Sequence, residues 1–260
     1  MELSAVHIAI TIGAIEADRA PAWWIEGRRG DPLGRVGVTL PDPAGTLHET
    51  LQPGNPLTIE IGYRDQAAVT WSGTVIMLAP GETRDQIEVR GCNAALPLSR
   101  TIVTQAWENE TPEAIVSWAI RTAGLSVGHI DPTGVTLPRF VASACSVWQM
   151  VQQVIESCSR QFGLNMSRRA LWMGRDGVNW SDGEEPGDMP LIATGAGLIR
   201  HEPGVSRTTL SRIETWLLPD LDHSRLVHLQ DVRRGIDAIV TAQRVRHEGA
   251  PDRTRTFIWY

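Results

Sequence analysis

Apolar and polar residues alternate along both ends of this chain, and only its middle third keeps a different period. From Ser4 to Ile12 the residues Val6, Ile8, Ile10 and Ile12 share one face, which predicts a half-buried strand. Trp23-Trp24-Ile25 reads as strand before a polar loop, Glu26 to Pro32, and Arg35 to Leu40 resumes the strand. Pro53-Gly54 is a tight turn. Leu57 to Ile61 alternates again, and Val69 to Leu78 is a long strand whose interior Gly73 marks a bulge or a close backbone approach. Gln86 to Arg90 closes a first β unit of about six strands. The last quarter repeats the same grammar. Leu191 to Ala193, Thr208 to Leu218, Leu226 to Gln230, Ile239 to Val245 and Thr256 to Trp259 alternate, with turn residues between them.

In the middle the period lengthens to that of a helix. Thr111-Pro112-Glu113 combines a hydroxyl cap, a proline at the first helical position and an acid in the first turn. Ile115, Trp118, Ala119 and Thr122 follow at helical spacing, and Gly124 is the stop. A second helix starts at Ser146, with Gln149 completing a capping box. Its stripe is Val147, Met150, Val151, Val154, Ile155, Cys158 and Phe162, and Gly163 ends it. Leu164 to Met173 then reads as two short strands joined by a turn near Arg168 and Arg169. A polar, breaker-rich segment, Asp182 to Asp188, reads as a linker. The expected class is therefore α+β, mainly β, with two β-barrel-like domains flanking a small α/β insert. The boundaries are 1–98 for the first barrel-like domain, 99–180 for the insert and 190–260 for the second barrel-like domain.

Composition narrows the function. With 24 basic and 30 acidic residues the formal charge is −6, the wrong sign for a sequence-independent nucleic-acid binder. All the basic residues other than histidine are arginine. No apolar run reaches the roughly 18 residues of a membrane span, so no membrane insertion is expected. The start of the chain lacks the basic and apolar regions of a signal peptide, and synthesis in a cytoplasm is expected. Cys92, Cys145 and Cys158 have no metal-ligand spacing and read as buried free thiols; no metal or other cofactor is expected.

Several phrases carry a family resemblance. They are Leu51, Pro53 and Gly54 with Ile59 to Gly62; Trp71-Ser-Gly-Thr-Val75; Thr111 to Val116 with Gly124-Leu125; Ser146 to Val151 with Phe162-Gly163 and Leu171-Trp172; and Val245 to Gly249. In this order they resemble the baseplate or tail hub proteins of tailed bacteriophages. That family includes late control protein D and the hub portion of the type VI secretion spike. The chain departs from it at Asp222-His-Ser-Arg225, where a Pro-Gly turn is common.

The resemblance implies a non-enzymatic virion protein of the tail tip, made in a bacterial host. It implies a homotrimer whose two barrels per chain offer six near-equivalent units to a six-fold tail tube while staying three-fold for a central spike. The implied partners are the tube or a distal tube-initiator protein, the spike, and the tape-measure protein's C-terminus. DNA would pass without specific binding; the acidic charge reads either as ordinary solubility or as a lumen that repels its phosphates.

Candidate subunit or partner contacts are the aromatics at element ends, Trp23, Trp24, Trp259 and Tyr260, and the adjacent basic pairs Arg168, Arg169 and Arg233, Arg234. The residues also offer two other classes. A thiol enzyme would draw on Cys145 with His129-Ile-Asp131 or His201-Glu202, but the chain has no nucleophile elbow, HExxH motif or phosphate loop. A β-rich carbohydrate- or receptor-binding tail module would use the ten tryptophans as stacking faces. Trp71, Trp118, Trp148 and Trp172 fall instead at expected core positions, and Trp107 and Trp180 near element ends.

Overall fold

The computed structural model describes residues 5–17, 20, 22–174, 176–184, 187–206, 209–250 and 253–260. Its first strands are β1 (Val6–Ile12), β2 (Ile15–Ala17), β3 (Ala22–Arg28) and β4 (Asp31–Pro41). A short helix α1 (Thr46–Thr50) leads to β5 (Pro56–Tyr63), β6 (Val69–Pro80) and β7 (Gln86–Asn93). The middle holds α2 (Leu96–Arg100), β8 (Ile102–Glu110), α3 (Pro112–Thr122), β9 (Val127–Ile130), β10 (Leu137–Ser146), α4 (Val147–Phe162), β11 (Ala170–Met173) and β12 (Val178–Ser181). The remainder is β13 (Leu191–Thr194), β14 (Gly197–Glu202), β15 (Arg212–Thr215), β16 (Leu226–Asp231), the 3-10 turn η1 (Val232–Arg234), β17 (Ile236–Thr241), β18 (Arg244–Ala250) and β19 (Arg253–Trp259). The fold is α+β and mainly β.

The chain divides into two compact units. One takes residues 1–28, 34–93 and 186–260; the other takes 29–33 and 94–185.

The first unit is one 14-stranded sheet, in the order β17-β16-β13-β14-β15-β19-β18-β3-β4-β7-β6-β5-β1-β2. Its two lobes repeat one pairing plan. In the first, β5, β6, β7 and β4 are successive antiparallel neighbours, β3 lies beside β4, and β1 lies beside β5. In the second, β16 pairs β17, β18 pairs β19 and β19 pairs β15, all antiparallel, with β14 beside β15 and β13 beside β16. The segments β17 and β18, broken at Ala242 and Gln243, correspond to the two halves of β6, whose register shifts between Val75 and Met77. Two pairings differ: β13 runs parallel to β16 where β1 runs antiparallel to β5, and β13 also pairs with β14 where β1 and β3 are not neighbours among the described residues.

Alternation sets what each lobe buries. Ile10 faces Ile59 and Ile12 faces Leu57 across the β1·β5 ladder, and with Val36, Val38, Leu40, Ile87 and Val89 they form the first core. The second lobe buries Ile192, Ile213, Val227, Leu229, Val245 and Ile258.

The second unit packs α3 and α4 with an antiparallel ribbon, β8·β10, and a three-stranded sheet, β11·β12·β9. Thr111 Oγ1 accepts from Ala114 N at 3.3 Å at the start of α3. Ser146 and Gln149 make the full capping box, and Gly163, at φ 66°, closes α4 in the left-handed region that glycine tolerates best. Ile115, Ile120, Met150, Val154, Leu171 and Trp180 are central to this core.

Several expected elements differ from those observed. The strand at Trp23 continues to Arg28, so the Glu26–Pro32 loop shrinks to a turn at Arg29 and Gly30; pairing with a second strand holds those polar residues extended. The hairpin placed at Arg168 and Arg169 instead turns between Met173 and Val178, because β11 starts only at Ala170. Ile239 to Val245 is two strands, and the β6 bulge lies past Gly73, between Val75 and Met77. The ribbon β8·β10 has no signature in the sequence: β8 is mostly exposed and shows no apolar stripe. The expected strand ends at Ser4 and Thr208 lie outside the described residues.

Candidate functional site

Three of the four end-of-element aromatics lie in or beside one seam, the ladder that joins the two lobes. β18 runs antiparallel to β3 with Arg244 opposite Arg28, Arg246 opposite Glu26, His247 opposite Ile25, Glu248 opposite Trp24 and Gly249 opposite Trp23. Successive side chains point to opposite faces. On the inner face Trp23 and Ile25 are buried opposite Gly249 and His247, and the Trp23 indole lies across Gly249. On the outer face Arg244 Nη2 reaches Glu26 Oε2 at 2.6 Å, and Arg246 Nε reaches Glu248 Oε2 at 3.0 Å. The Arg246 guanidinium lies 4.7 Å above the Trp24 ring, whose other surroundings include Gly37. These pairs are half-buried, and even solvent-exposed ones contribute only about 0–1 kcal/mol each; the ladder and the buried rings are the larger part of the seam. Arg244 also covers Trp259, 4.3 Å from its centroid.

Beneath the seam, His247 is buried and both ring nitrogens are bonded. Its Nε2 donates to the Leu221 carbonyl at 2.9 Å, and its Nδ1 accepts from Thr256 Oγ1 at 2.9 Å. That hydroxyl in turn accepts from Leu218 N at 2.9 Å. Burial lowers the His247 pKa. Tyr63 donates to the Leu217 carbonyl at 2.9 Å, tying the same loop to the first lobe; burial raises its pKa.

Tyr260 belongs to a different cluster. Its hydroxyl meets His201 Nε2 at 2.9 Å, and His201 Nδ1 meets Asp231 Oδ2 at 2.9 Å. The bond from His201 lowers the Asp231 pKa against the effect of burial. Arg234 Nε sits 3.4 Å from the same carboxylate, and its Nη2 donates to the His201 carbonyl at 3.2 Å. Arg233 is exposed. The expected His201–Glu202 couple does not form: Glu202 points to Arg200 and Arg212, while the histidine takes Asp231, thirty residues away in sequence. Carboxylate, imidazole and phenol are in relay order, but the cluster's evident effect is to fasten the last residue to β14 and β16.

The other arginine pair splits. Arg168 is exposed and reaches Glu184 at 2.8 Å. The Arg169 side chain is buried: it grips Asp182 through Nε and Nη2, both at 3.0 Å, donates to the Asp131 carbonyl at 2.8 Å, and covers Trp180 at 4.6 Å. Burial opposes ionisation of Asp131, yet bonds from Ser181, Asp182 N and His129 outweigh it and hold its carboxyl below the ordinary range. His129 and Asp131 do pair, at 2.7 Å, but no described bond links either to Cys145. All three cysteines are buried thiols, none of them in a disulfide. Among the described residues there is no group of three metal-ligating side chains, and no helix is long and apolar enough to cross a membrane.

None of the ten tryptophans is exposed. Trp24, Trp172, Trp180, Trp216 and Trp259 each carry an arginine over the ring, and Trp107 packs edge-on against Trp118 at 5.1 Å.

No family model and no curated protein matches the chain. Solved structures do. The 43 kDa tail protein of prophage MuSo2 from Shewanella oneidensis aligns with a TM-score of 0.71 over 98% of this chain and 96% of its own, at 11% identity. The chain has the fold of phage tail proteins. A tail protein from Neisseria meningitidis MC58 shares that fold at a TM-score of 0.68 and 13% identity, over 98% of this chain and 95% of that one. The c3393 protein of E. coli, a type VI secretion component described as similar to the T4 tail proteins gp27 and gp5, aligns at 0.66 and 12% identity, over 96% and 75%. In the tail-protein fold of this chain, the chemistry that stands out is strand pairing and ring packing.

Proposed function

We propose that this chain is a structural component of a bacteriophage tail or of a phage-derived particle. In this reading it is the hub, three copies of which join the tube to the spike. The observation that carries the reading is the doubled β lobe inside a tail-protein fold. A tube built of six like subunits and a spike built of three can share one adaptor if each adaptor chain offers two like units. Here the two lobes repeat the same strand order and are joined side by side through β3·β18, so one chain already contains the first step around a ring. Closed rings follow when a head-to-tail contact repeats with a rotation that returns to the start.

The proposed partners are a second and third copy of the chain, the tube or its initiator, the central spike and the tape-measure C-terminus; DNA passes through without specific contacts. The proposed place is the tail tip of the virion. A sugar-binding module is disfavoured because stacking needs an open ring face, and none of the tryptophans is exposed. Removing the gene from its phage or prophage and imaging induced lysates tests the role. Tails that fail to assemble, restored by the gene in trans, are expected; normal numbers of intact, infectious tails overturn it.

A further inference from the structure

The outward face of the seam continues beyond the two strands that form it. Arg212 on β15 stands opposite Trp259 on β19, Trp259 opposite Arg244 on β18, and Arg244 opposite Arg28 on β3. One step along, Arg200, Glu214, Phe257, Arg246 and Glu26 form the next row. A third row runs from Arg255 through Glu248 to Trp24, whose indole lies against Gly37, the residue opposite Arg90 on β7. Glu202 faces Arg212 from β14, and Glu88 bonds Arg90 at 2.9 Å. Over these rows arginine outnumbers glutamate seven to five, although the whole chain carries a formal charge of −6.

Rings and acids fix where the guanidinium groups lie. Arg212 sits 4.6 Å from the Phe257 centroid, Arg244 4.3 Å from that of Trp259 and Arg246 4.7 Å from that of Trp24. Glu26 takes both Arg244 and Arg246, at 2.6 and 3.5 Å. In no ion pair of this face, among the described residues, does the acid stand further out than its arginine. The Arg200 side chain is 66% exposed against 37% for Glu202, and Arg90 46% against 26% for Glu88. An ordinary cross-strand ion pair has no reason to place the same sign outermost every time. Here the acids form the lower layer, and solvent meets the arginines.

What such a face fits follows from its length and its rings. The seven neighbouring strands from β14 to β7 span about 29 Å at the usual strand spacing. Duplex DNA presents a fixed line of phosphates, one charge per about 1.7 Å of axis, and arginine meets phosphate oxygens in two-pronged contacts. Single-stranded nucleic acid is held by bases stacked on open aromatic faces, and no tryptophan here is exposed.

We infer that the outward face from β14 to β7 is a contact surface for the sugar-phosphate backbone of duplex DNA, independent of sequence. The glutamates beneath and the acidic remainder of the chain keep the contact weak, so a duplex is guided without being held. The face belongs to a single chain, so the inference stands apart from the hub reading and from the number of copies.

Fluorescence anisotropy of a short labelled duplex, titrated with the full chain between about 50 and 200 mM salt, tests it. Binding should appear at the low end, and log affinity should fall against log salt by about 0.9 for each phosphate contacted. Arg28→Gln, Arg90→Gln and Arg200→Gln together remove three exposed charges. They should flatten the slope by about one per arginine and weaken binding alike for every sequence. Glu88→Gln with Glu202→Gln should do the reverse, tightening binding in a chain whose arginines are intact. Far-ultraviolet circular dichroism of both variants should match the parent.

No binding at the lowest salt, or one slope shared by the parent and both variants, overturns the inference. Single-stranded DNA of the same length bound more tightly than the duplex overturns the choice of duplex. Poly-glutamate bound more tightly at equal charge overturns it too and assigns the face to an acidic protein. A monomer that binds with the predicted slopes supports the DNA face while contradicting the hub; a multimer that fails to bind overturns the face and leaves the hub reading standing.

Discussion

Gly249→Ala probes the lobe-to-lobe seam at its tightest point. A Cβ built on Gly249 lies 2.2 Å from Trp23 Nε1 and 2.5 Å from Cε2, where carbon atoms normally rest about 3.5–4.0 Å apart. The indole is 5% exposed, so it cannot swing into water without emptying its site, and ring and backbone must both give. Overpacking of this kind costs about 1–3 kcal/mol. Without the ring above it, alanine in a strand interior would be better than glycine by roughly 0.5–1 kcal/mol, so the two expectations differ in sign.

Trp23→Ala by itself should cost about 3–5 kcal/mol. In that background Gly249→Ala should become neutral or stabilising, giving a coupling of about 1–3 kcal/mol, within the range of contacting residues. Urea unfolding of the four chains at one fixed protein concentration, followed by circular dichroism, measures the cycle; the fixed concentration removes the effect of assembly on apparent stability. Additivity within about 0.5 kcal/mol would refute the claim that Trp23 and Gly249 form one packed unit.

Three further outcomes follow from single sites. Because burial lowers the His247 pKa, the unfolded chain takes up that proton first; stability should therefore fall as pH drops below about 6.5, and His247→Asn should flatten that slope in urea titrations between pH 5 and 7, roughly the range in which histidine changes charge. Arg169→Ala should destabilise the α/β unit by about 1.5–3 kcal/mol for its charged hydrogen bonds, with Arg169→Lys recovering only part, since lysine cannot reproduce the two-pronged contact with Asp182. Ser146→Ala removes the capping box of α4 and should cost about 1 kcal/mol by thermal or urea melts, whereas Ser146→Asp should cost less.

What could be read from the chain follows from how local each signal is. Both main helices were legible at residue precision because Thr111, Pro112, Ser146, Gln149 and Gly163 act on their own neighbours. Strands such as β5 and β16 were legible because one face is buried. The seam was not: Glu26 and Arg28 look like loop residues until β18, more than two hundred positions later, pairs with them. Trp23 and Trp24 did stand out as contact residues, but the partner they meet is the chain's own second lobe. Arg168 and Arg169 are indistinguishable in sequence, yet one is exposed and the other is sealed between Asp182 and Trp180. His201 had several acids within reach of a guess; only the fold selects Asp231.

The claim on which the account turns is that one chain folds a β lobe twice so that copies continue the row into a closed ring. The mass of the intact protein, measured by native mass spectrometry with light scattering across a range of concentrations, addresses it directly. A closed species of three times the 28.6 kDa chain, persisting on dilution, is the predicted result; a monomer throughout, or a dimer that stops at two, would contradict it.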